Sequence, residues 1–245
     1  MGRMRGSRDR TGSIPAEDRG CSTWNRGLNS MSDDINLRIT GVDSGEEIAG
    51  ARMLTLATTR GPIRMLYHAP AQAGRAVLCI CGAIGGLDGP ALLYPRLGLM
   101  LPRAGLGVAR LDYRAPNDFG ECVVDTLAGV TFLRGMNHQR IAIVGHSFGG
   151  AVAINAGTLS RNVTTVIALS SQLAGAHVVG DLAPRSLLLV HGTADTILPH
   201  QSSETIYERA GEPKTLRLLQ GVDHFYSGRG DEVFEIVQQW LAANT

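Results

Sequence analysis

The chain is almost without lysine and has no marked excess of either charge. Lys214 is the one lysine among 245 residues, and the formal net charge at pH 7 is +1. A charge so close to zero creates no field that would attract nucleic acid or an anionic membrane surface. The glycine-rich segment GAIGGLDG has neither the lysine of a Walker motif nor the GxGxxG pattern, so no nucleotide site is predicted. These absences favour a small, weakly charged molecule as the partner.

Cysteine is scarce as well. The four cysteines are too few and too irregularly spaced for a disulfide framework, and no pair of CxxC motifs offers a zinc site. Their spacing therefore predicts a reducing compartment and no structural metal. Cys79 and Cys81 lie two positions apart on one predicted strand, and we interpret them as ordinary buried thiols.

Long apolar runs are missing too. No segment approaches the roughly 18 apolar residues that a membrane-spanning helix needs, and the N-terminus lacks the apolar stretch of a secretory signal. We therefore expect no membrane association and a cytoplasmic location. Residues 1–30 hold six arginines, three acidic residues and no hydrophobic period, which predicts a disordered N-terminal extension. Two origins stay open for this extension: it belongs to the native chain, or the native chain starts at Met31.

Residues 31–245 predict a single α/β domain. With 44% hydrophobic residues the chain can bury one large core. Short β-branched runs alternate with helical segments, which predicts a mostly parallel central sheet with helices on both faces. The segments ARMLTLATT and IRMLYHAP, joined around Gly61, predict an antiparallel N-terminal hairpin. Only about ten irregular residues, from Gln172 to Asp181, separate two late strands, so no sizeable cap domain is predicted.

The segment AIVGHSFGGAVAI, residues 142–154, carries the first chemical motif. An apolar strand ends before Ser147 and a helix of small residues follows it, which is the arrangement of a nucleophile elbow. Gly145 and Gly149 remove bulk where the strand and the helix converge. The turn aims the Phe148 N–H toward the serine hydroxyl and makes it a predicted oxyanion-hole donor. A bare hydroxyl is a poor nucleophile, so a base and an orienting carboxylate are required.

Both partners follow downstream in the order that this arrangement needs. Asp195 lies in LLLVHGTADTILPH just past a late strand, and His224 lies in LLQGVDHFYSG after the next strand. We predict a catalytic triad of Ser147 as nucleophile, His224 as general base and then acid, and Asp195 as orienting carboxylate. Asp223 is the rival of Asp195, and we interpret it as a solvated loop acid because it is adjacent to His224.

The remaining histidines receive structural interpretations. His146 and His191 are predicted to pack beside the elbow and the acid loop. Four others are interpreted as strand-end or surface residues, namely His68, His138, His177 and His200.

With these motifs in this order, the chain from about residue 50 to the C-terminus resembles the serine hydrolases of the α/β-hydrolase superfamily. It is similar to the small, cap-less branches that are dienelactone-hydrolase-like or acyl-thioesterase-like. Dienelactone hydrolases proper carry a cysteine nucleophile, from which Ser147 departs. The resemblance implies an α/β-hydrolase fold and a second oxyanion donor in the loop CICGAIGGLDG, where family members often carry His-Gly. Alignment with that pattern assigns the Ala83 N–H, with Ile84 as the alternative.

The predicted reaction is acyl transfer to water through an acyl-enzyme, which needs no cofactor and no metal. The predicted substrate is a carboxylic ester of a small or partly exposed molecule. An acyl-thioesterase and a non-catalytic ligand-binding protein of the same fold stay open as alternatives, as do the acyl length and the oligomeric state. Arg114 and Asn117 are candidates to meet a polar end of the substrate, and the alternative for Arg114 is a solvated surface role. The predicted pocket walls are mostly apolar: Ile84, Leu87, Phe119, Leu173, Ile197, Leu198 and Phe225.

Overall fold

The computed structural model describes residues 37–245, and the predicted extension over residues 1–30 lies outside them. Within the described residues the strands are β1 (Ile39–Ile48), β2 (Ala51–Thr58), β3 (Ile63–His68), β4 (Arg75–Ile80), β5 (Leu106–Asp112), β6 (Arg140–His146), β7 (Val163–Leu169), β8 (Ser186–Gly192) and β9 (Lys214–Leu219). All nine join one sheet in the order β1-β2-β3-β5-β4-β6-β7-β8-β9. Strands β4 to β9 run parallel to one another, so their carboxyl ends meet at one edge of the sheet.

Five α-helices cover the sheet in the described part of the chain. They are α1 (Leu93–Met100), α2 (Phe119–Gly135), α3 (Phe148–Leu159), α4 (Gln201–Arg209) and α5 (Gly230–Asn244). Helices α2, α3 and α4 pack in the core on one face of the sheet, and α1 and α5 pack in the core on the other. The predicted mostly parallel sheet with helices on both faces is therefore confirmed.

The central strands are apolar throughout because both of their faces are covered. In β6, Ile141 and Ile143 join the core beneath α2 and α3, whereas Ala142 and Val144 join the core beneath α1 and α5. Side chains alternate across a strand, so a continuous apolar run fills both cores at once. This burial fixes the end of β6, and with it the start of the turn that follows.

The N-terminal hairpin is confirmed, and an additional strand precedes it. β2 pairs antiparallel with β3, and β1 pairs antiparallel with β2 at the edge of the sheet. The sequence analysis did not predict β1. Most of its residues are exposed, and its segment GVDSGEEI shows no apolar alternation that would indicate a strand.

In the segment ALLYPRLGLMLPRAG, whose apolar pattern favours one long helix, α1 covers only Leu93–Met100. Pro90–Leu92 and Leu101–Ala104 form 3-10 turns on either side of α1. Ala91 and Leu92 adopt φ values of 48° and 54°, which interrupts the helical backbone before α1 begins. Pro95 fits because it lies in the first turn of α1, where its missing N–H removes no helical hydrogen bond.

No large cap covers the carboxyl edge of the parallel strands within residues 37–245. The segment predicted to be irregular, Gln172 to Asp181, contributes most of a short 3-10 helix over Ala176–Leu182. No helix among the described residues is both long and apolar enough to cross a membrane. The edge that carries the motifs is therefore open to small molecules.

Candidate active site

Ser147 occupies a strained turn between β6 and α3. Its backbone adopts φ 59° and ψ −122°, a conformation that residues other than glycine rarely adopt. The turn is held by the Ser147 N–H, which donates to Leu169 O at 2.8 Å, and by the Gly150 N–H, which donates to Ser147 O at 2.9 Å. Ser147 is partly exposed. The geometry presents its hydroxyl at the carboxyl edge of the sheet.

Two glycines are required by the close approach of the strand to the helix. A Cβ at Gly145 would lie 2.1 Å from Gly149 O, and a Cβ at Gly149 would lie 2.2 Å from Cys81 O. Carbon atoms do not approach backbone oxygens this closely. The GxSxG spacing is therefore a packing requirement of this turn.

Two backbone segments lie next to Ser147. The Phe148 N–H opens α3, where the first N–H groups have no partner within the helix. From the loop after β4, a Cβ placed on Gly82 would lie 3.9 Å from Ser147 Oγ. That loop is held by the Gly86 N–H, which donates to Asp112 Oδ1 at 3.0 Å. The structure thus brings Phe148 and the segment that contains Ala83 to the same hydroxyl.

Asp195 and His224 come together although 29 positions separate them. His224 Nδ1 lies 2.6 Å from Asp195 Oδ2, and both side chains are buried. The other carboxylate oxygen, Asp195 Oδ1, accepts from the N–H groups of Ile197 and Leu198, each at 2.8 Å. Burial opposes the charge on Asp195, but the hydrogen bonds from Leu198, His224 and Ile197 outweigh it and lower the pKa of this carboxyl.

Asp223 has the loop role that the sequence analysis gave it. Its Oδ1 accepts from the N–H groups of Phe225 at 3.1 Å and Ser227 at 2.9 Å. These hydrogen bonds lower the pKa of Asp223, the one to Ser227 most strongly. Asp223 therefore shapes the loop that carries His224, whereas Asp195 is the carboxylate that bonds to the imidazole.

Hydrogen bonds of two buried aromatic side chains, His146 and Tyr226, hold the loop that carries His224 in place. His146 Nε2 lies 3.0 Å from His224 O and donates to it, and the two rings are 4.7 Å apart between centroids. The Tyr226 hydroxyl donates to Val190 O at 2.9 Å and accepts from Ser170 Oγ at 3.0 Å. Burial lowers the pKa of His146 to about 4, so this ring is neutral at pH 7.

His191 forms a hydrogen bond with Asp195, whereas the sequence analysis predicted only that it packs beside the acid loop. Its Nε2 lies 3.1 Å from Asp195 Oδ2 and 3.1 Å from Leu198 O, and its Nδ1 lies 2.7 Å from Ser203 Oγ. The sequence offered one signal that was not used, the placement of His191 four residues before Asp195 in HGTAD. Ser203, on α4, carried no motif.

Arg114 faces neither the substrate side nor the solvent, which corrects both interpretations of this residue. Its side chain is buried and bonds to Asp125, to Glu121 Oε2 at 2.7 Å and to Arg60 O at 2.8 Å. The Arg114 N–H also donates to Asp125 Oδ2 at 2.8 Å. The guanidinium therefore pairs with two carboxylates of α2, and these ion pairs hold the loop after β5 against that helix. Asn117, with φ 69°, is exposed in that loop.

Among the four histidines interpreted as strand-end or surface residues, His138 has a different setting. His68 ends β3 as expected but is buried, and His138 is buried with its Nε2 2.7 Å from the Tyr67 hydroxyl. His177 is exposed and His200 is half-exposed.

The predicted pocket residues differ widely in exposure. Ile84, Ile197 and Phe225, which we name the apolar rim, expose 94%, 57% and 52% of their surface. Each follows a predicted functional residue by one or two positions in the chain. The others are half-buried, namely Leu87, Phe119, Leu173 and Leu198. The Phe119 ring packs edge-on against Phe148 at 5.7 Å.

The cysteines of the described chain offer neither a nucleophile nor a metal site. Cys79, Cys81 and Cys122 are free and buried. Burial raises the pKa of Cys81 to about 11 and that of Cys122 to about 12. No group of three or more His, Cys, Asp or Glu side chains within residues 37–245 is arranged to hold a metal ion.

Comparisons with known proteins indicate a hydrolase. Residues 123–241 match the family model described as phospholipase/carboxylesterase, which supports a hydrolase activity. The uncharacterized protein YfhR of Escherichia coli (strain K12) is 27% identical over 197 residues, which cover 66% of this chain and 69% of YfhR.

Two solved structures with low sequence identity share the fold. The dienelactone hydrolase from Anabaena variabilis is 15% identical with a TM-score of 0.68, over 80% of this chain and 99% of that protein. XC6422 from Xanthomonas campestris, a serine hydrolase without lid, is 18% identical with a TM-score of 0.62, over 80% of this chain and 95% of that protein. Residues 37–245 therefore have the α/β-hydrolase fold, in the form without a large cap.

Proposed function

We propose that the protein is a serine hydrolase that cleaves a carboxylic ester through an acyl-enzyme on Ser147. The observation that carries this proposal is the pair formed by His224 and Asp195 at 2.6 Å, on the same edge of the sheet as the elbow serine. Because Asp195 occupies Nδ1 of the imidazole, Nε2 is the nitrogen left to take the proton of Ser147. In this proposal the three residues form the catalytic triad.

The proposed mechanism has two halves. His224 accepts the Ser147 proton as Oγ attacks the ester carbonyl, and the N–H groups of Phe148 and Ala83 bind the oxyanion. His224 then protonates the leaving alcohol, and the ester carbonyl carbon stays bonded to Ser147 Oγ. Water, activated by His224, attacks this acyl-enzyme and releases the acid.

The proposed substrate is a small or partly exposed ester with an apolar portion. The apolar rim exposes three large side chains beside the proposed functional residues, and no large cap in residues 37–245 shields them. Apolar surface that stays exposed in this way favours contact with an apolar ligand. Leu87, Phe119, Leu173 and Leu198 are proposed to extend this surface inward.

We place this activity in the cytoplasm. The three cysteines of the described chain are free thiols, as proteins of reducing compartments have them. The proposed partner is a small-molecule ester.

The test is covalent labelling with a fluorophosphonate probe, followed by mass spectrometry and by turnover of a panel of activated esters. We expect one adduct on Ser147, no adduct in Ser147→Ala, and labelling slowed by a factor of at least about 1,000 in His224→Ala. Turnover should be lost in parallel. An unlabelled Ser147 in folded protein would instead favour a non-catalytic ligand-binding protein. A kcat/KM for acyl-thioesters far above that for matching oxygen esters would assign a thioesterase.

A further inference from the structure

Two histidines share one oxygen of the carboxylate that the proposed triad uses. Asp195 Oδ2 lies 2.6 Å from His224 Nδ1 and 3.1 Å from His191 Nε2. The proposed mechanism needs only the first of these bonds. His191 is completely buried near the end of β8, where a polar ring is retained only if its nitrogens are satisfied.

The partners of His191 determine where its proton lies. Nε2 faces two acceptors, Asp195 Oδ2 and Leu198 O, so this nitrogen carries the hydrogen. Nδ1 then has a lone pair and accepts from the Ser203 hydroxyl at 2.7 Å. Burial lowers the pKa of His191, which keeps the ring neutral in this form.

We propose that His191 and Ser203 are positioning residues for the hydrolytic reaction. Ser203 fixes the tautomer of His191, and His191 donates to Asp195 so that the carboxylate keeps its orientation toward His224. A chain of hydrogen bonds therefore runs from α4 to the general base. This inference rests on the proposed function, because it assigns the orienting role to Asp195.

The bond from His191 also limits how much negative charge Asp195 presents to His224. Its removal leaves more charge on Oδ2 for the imidazolium, which favours the protonated base. The acid limb of the pH profile of kcat/KM should then move to higher pH. His146 and Tyr226, both buried, also interact electrostatically with this carboxylate.

The kinetic test compares buried and solvent-side variants on the same helix. We expect Ser203→Ala to lower kcat/KM for an activated ester about fivefold, and Ser202→Ala, whose hydroxyl is outside the chain of bonds, to leave it unchanged. His191→Leu should lower kcat/KM at least about tenfold and move the acid limb up by about 0.5 pH unit. His191→Gln keeps a donor and an acceptor and should restore much of the loss.

The pH profile separates positioning from simple loosening of the fold. A uniform loss of kcat/KM with an unchanged acid limb in both His191 variants would overturn the proposal, and so would equal effects of the two serine substitutions. Thermal unfolding of each full-length variant identifies the folded fraction used for the comparison.

A second readout does not depend on activity. In long-range ¹H–¹⁵N spectra of the full chain labelled at histidine nitrogens, we expect a neutral His191 with the hydrogen on Nε2, and a mixture of tautomers in Ser203→Ala. A hydrogen on Nδ1 in the native protein would overturn the inference. If the native protein neither reacts with the fluorophosphonate nor turns over esters, the proposed function fails, whereas these spectra still test the tautomer.

Discussion

At the residue scale, Gly149 has no room for a side chain. A methyl group there would lie 2.2 Å from Cys81 O, a backbone atom that cannot move without displacing β4. We expect Gly149→Ala to lower the free energy of unfolding by about 3 kcal/mol and to reduce probe labelling of Ser147. Urea unfolding measures the first effect. Gly120→Ala on α2 is the matched control, because its nearest contact is Asp118 Oδ1 at 3.7 Å, and equal losses in both variants would contradict the packing argument.

His146 gives the folded protein a dependence on pH. Burial lowers its pKa from 6.5 to about 4, so the folded state binds this proton less readily than the unfolded state. The stabilisation is present above pH 6.5 and is lost as the pH falls toward 4, by about 3 kcal/mol in total.

The variant His146→Gln should therefore lose less stability between about pH 7 and about pH 4.5 than the native protein does. Urea unfolding across this range measures the difference. His177→Gln, at an exposed position, should follow the native curve. Parallel curves for the native protein and His146→Gln would show that folding does not lower the pKa of this ring.

At single residues, the sequence predicted motifs better than it predicted contacts. The bond between His224 and Asp195 follows from chain order and strand position, which the motifs reveal. The contact of His191 with Ser203 joins a strand end to a helix face, and no local pattern specifies which face α4 presents. Arg114 was misassigned because its partners lie on α2 and in the turn between β2 and β3.

At the scale of elements, ion pairs with α2 hold the loop after β5 in place. Asp125 is completely buried and Glu121 partly so, and Arg114 bonds to both. We expect Arg114→Met to lower the free energy of unfolding by about 3 kcal/mol, because it leaves a buried carboxylate without its cation. Arg52→Met, which breaks an exposed pair with Glu47, should cost less than about 1 kcal/mol.

The same variant tests whether Arg114 takes part in substrate recognition. The ratio of kcat/KM for an anionic ester to that for its neutral counterpart should be the same in Arg114→Met and in the native protein, because the native guanidinium is already paired with two carboxylates. A ratio that changes by more than about threefold would indicate that Arg114 interacts with the substrate.

Elements with clear periodicity were predicted, and those whose form depends on neighbours were not. The strands β4 and β6 follow from continuous apolar runs. β1 is held by pairing with β2 along its length, which its own polar residues do not encode. The left-handed backbone at Ala91 and Leu92 likewise breaks a segment whose apolar pattern alone favours one helix.

At the scale of the whole molecule, stability is expected to be uneven across the sheet. Backbone amides of β4 and β6 lie between two apolar cores, whereas β1 is an exposed edge. Hydrogen exchange followed by mass spectrometry should therefore show the slowest exchange in β4 and β6 and the fastest among strands in β1. Protection of β1 equal to that of β6 would mean that this edge is covered in solution.

The direction of the strands separates the site from the turn between β1 and β2. β2 is antiparallel to β3, and β3 is antiparallel to β5, so β2 starts at the edge of the sheet opposite to Ser147. Glu46 is exposed beside that turn. If the protein is attached to a solid support through the variant Glu46→Cys, the edge of the sheet that carries Ser147 should therefore face the solution. Substrates too bulky to diffuse beneath a layer of attached protein would then still reach Ser147.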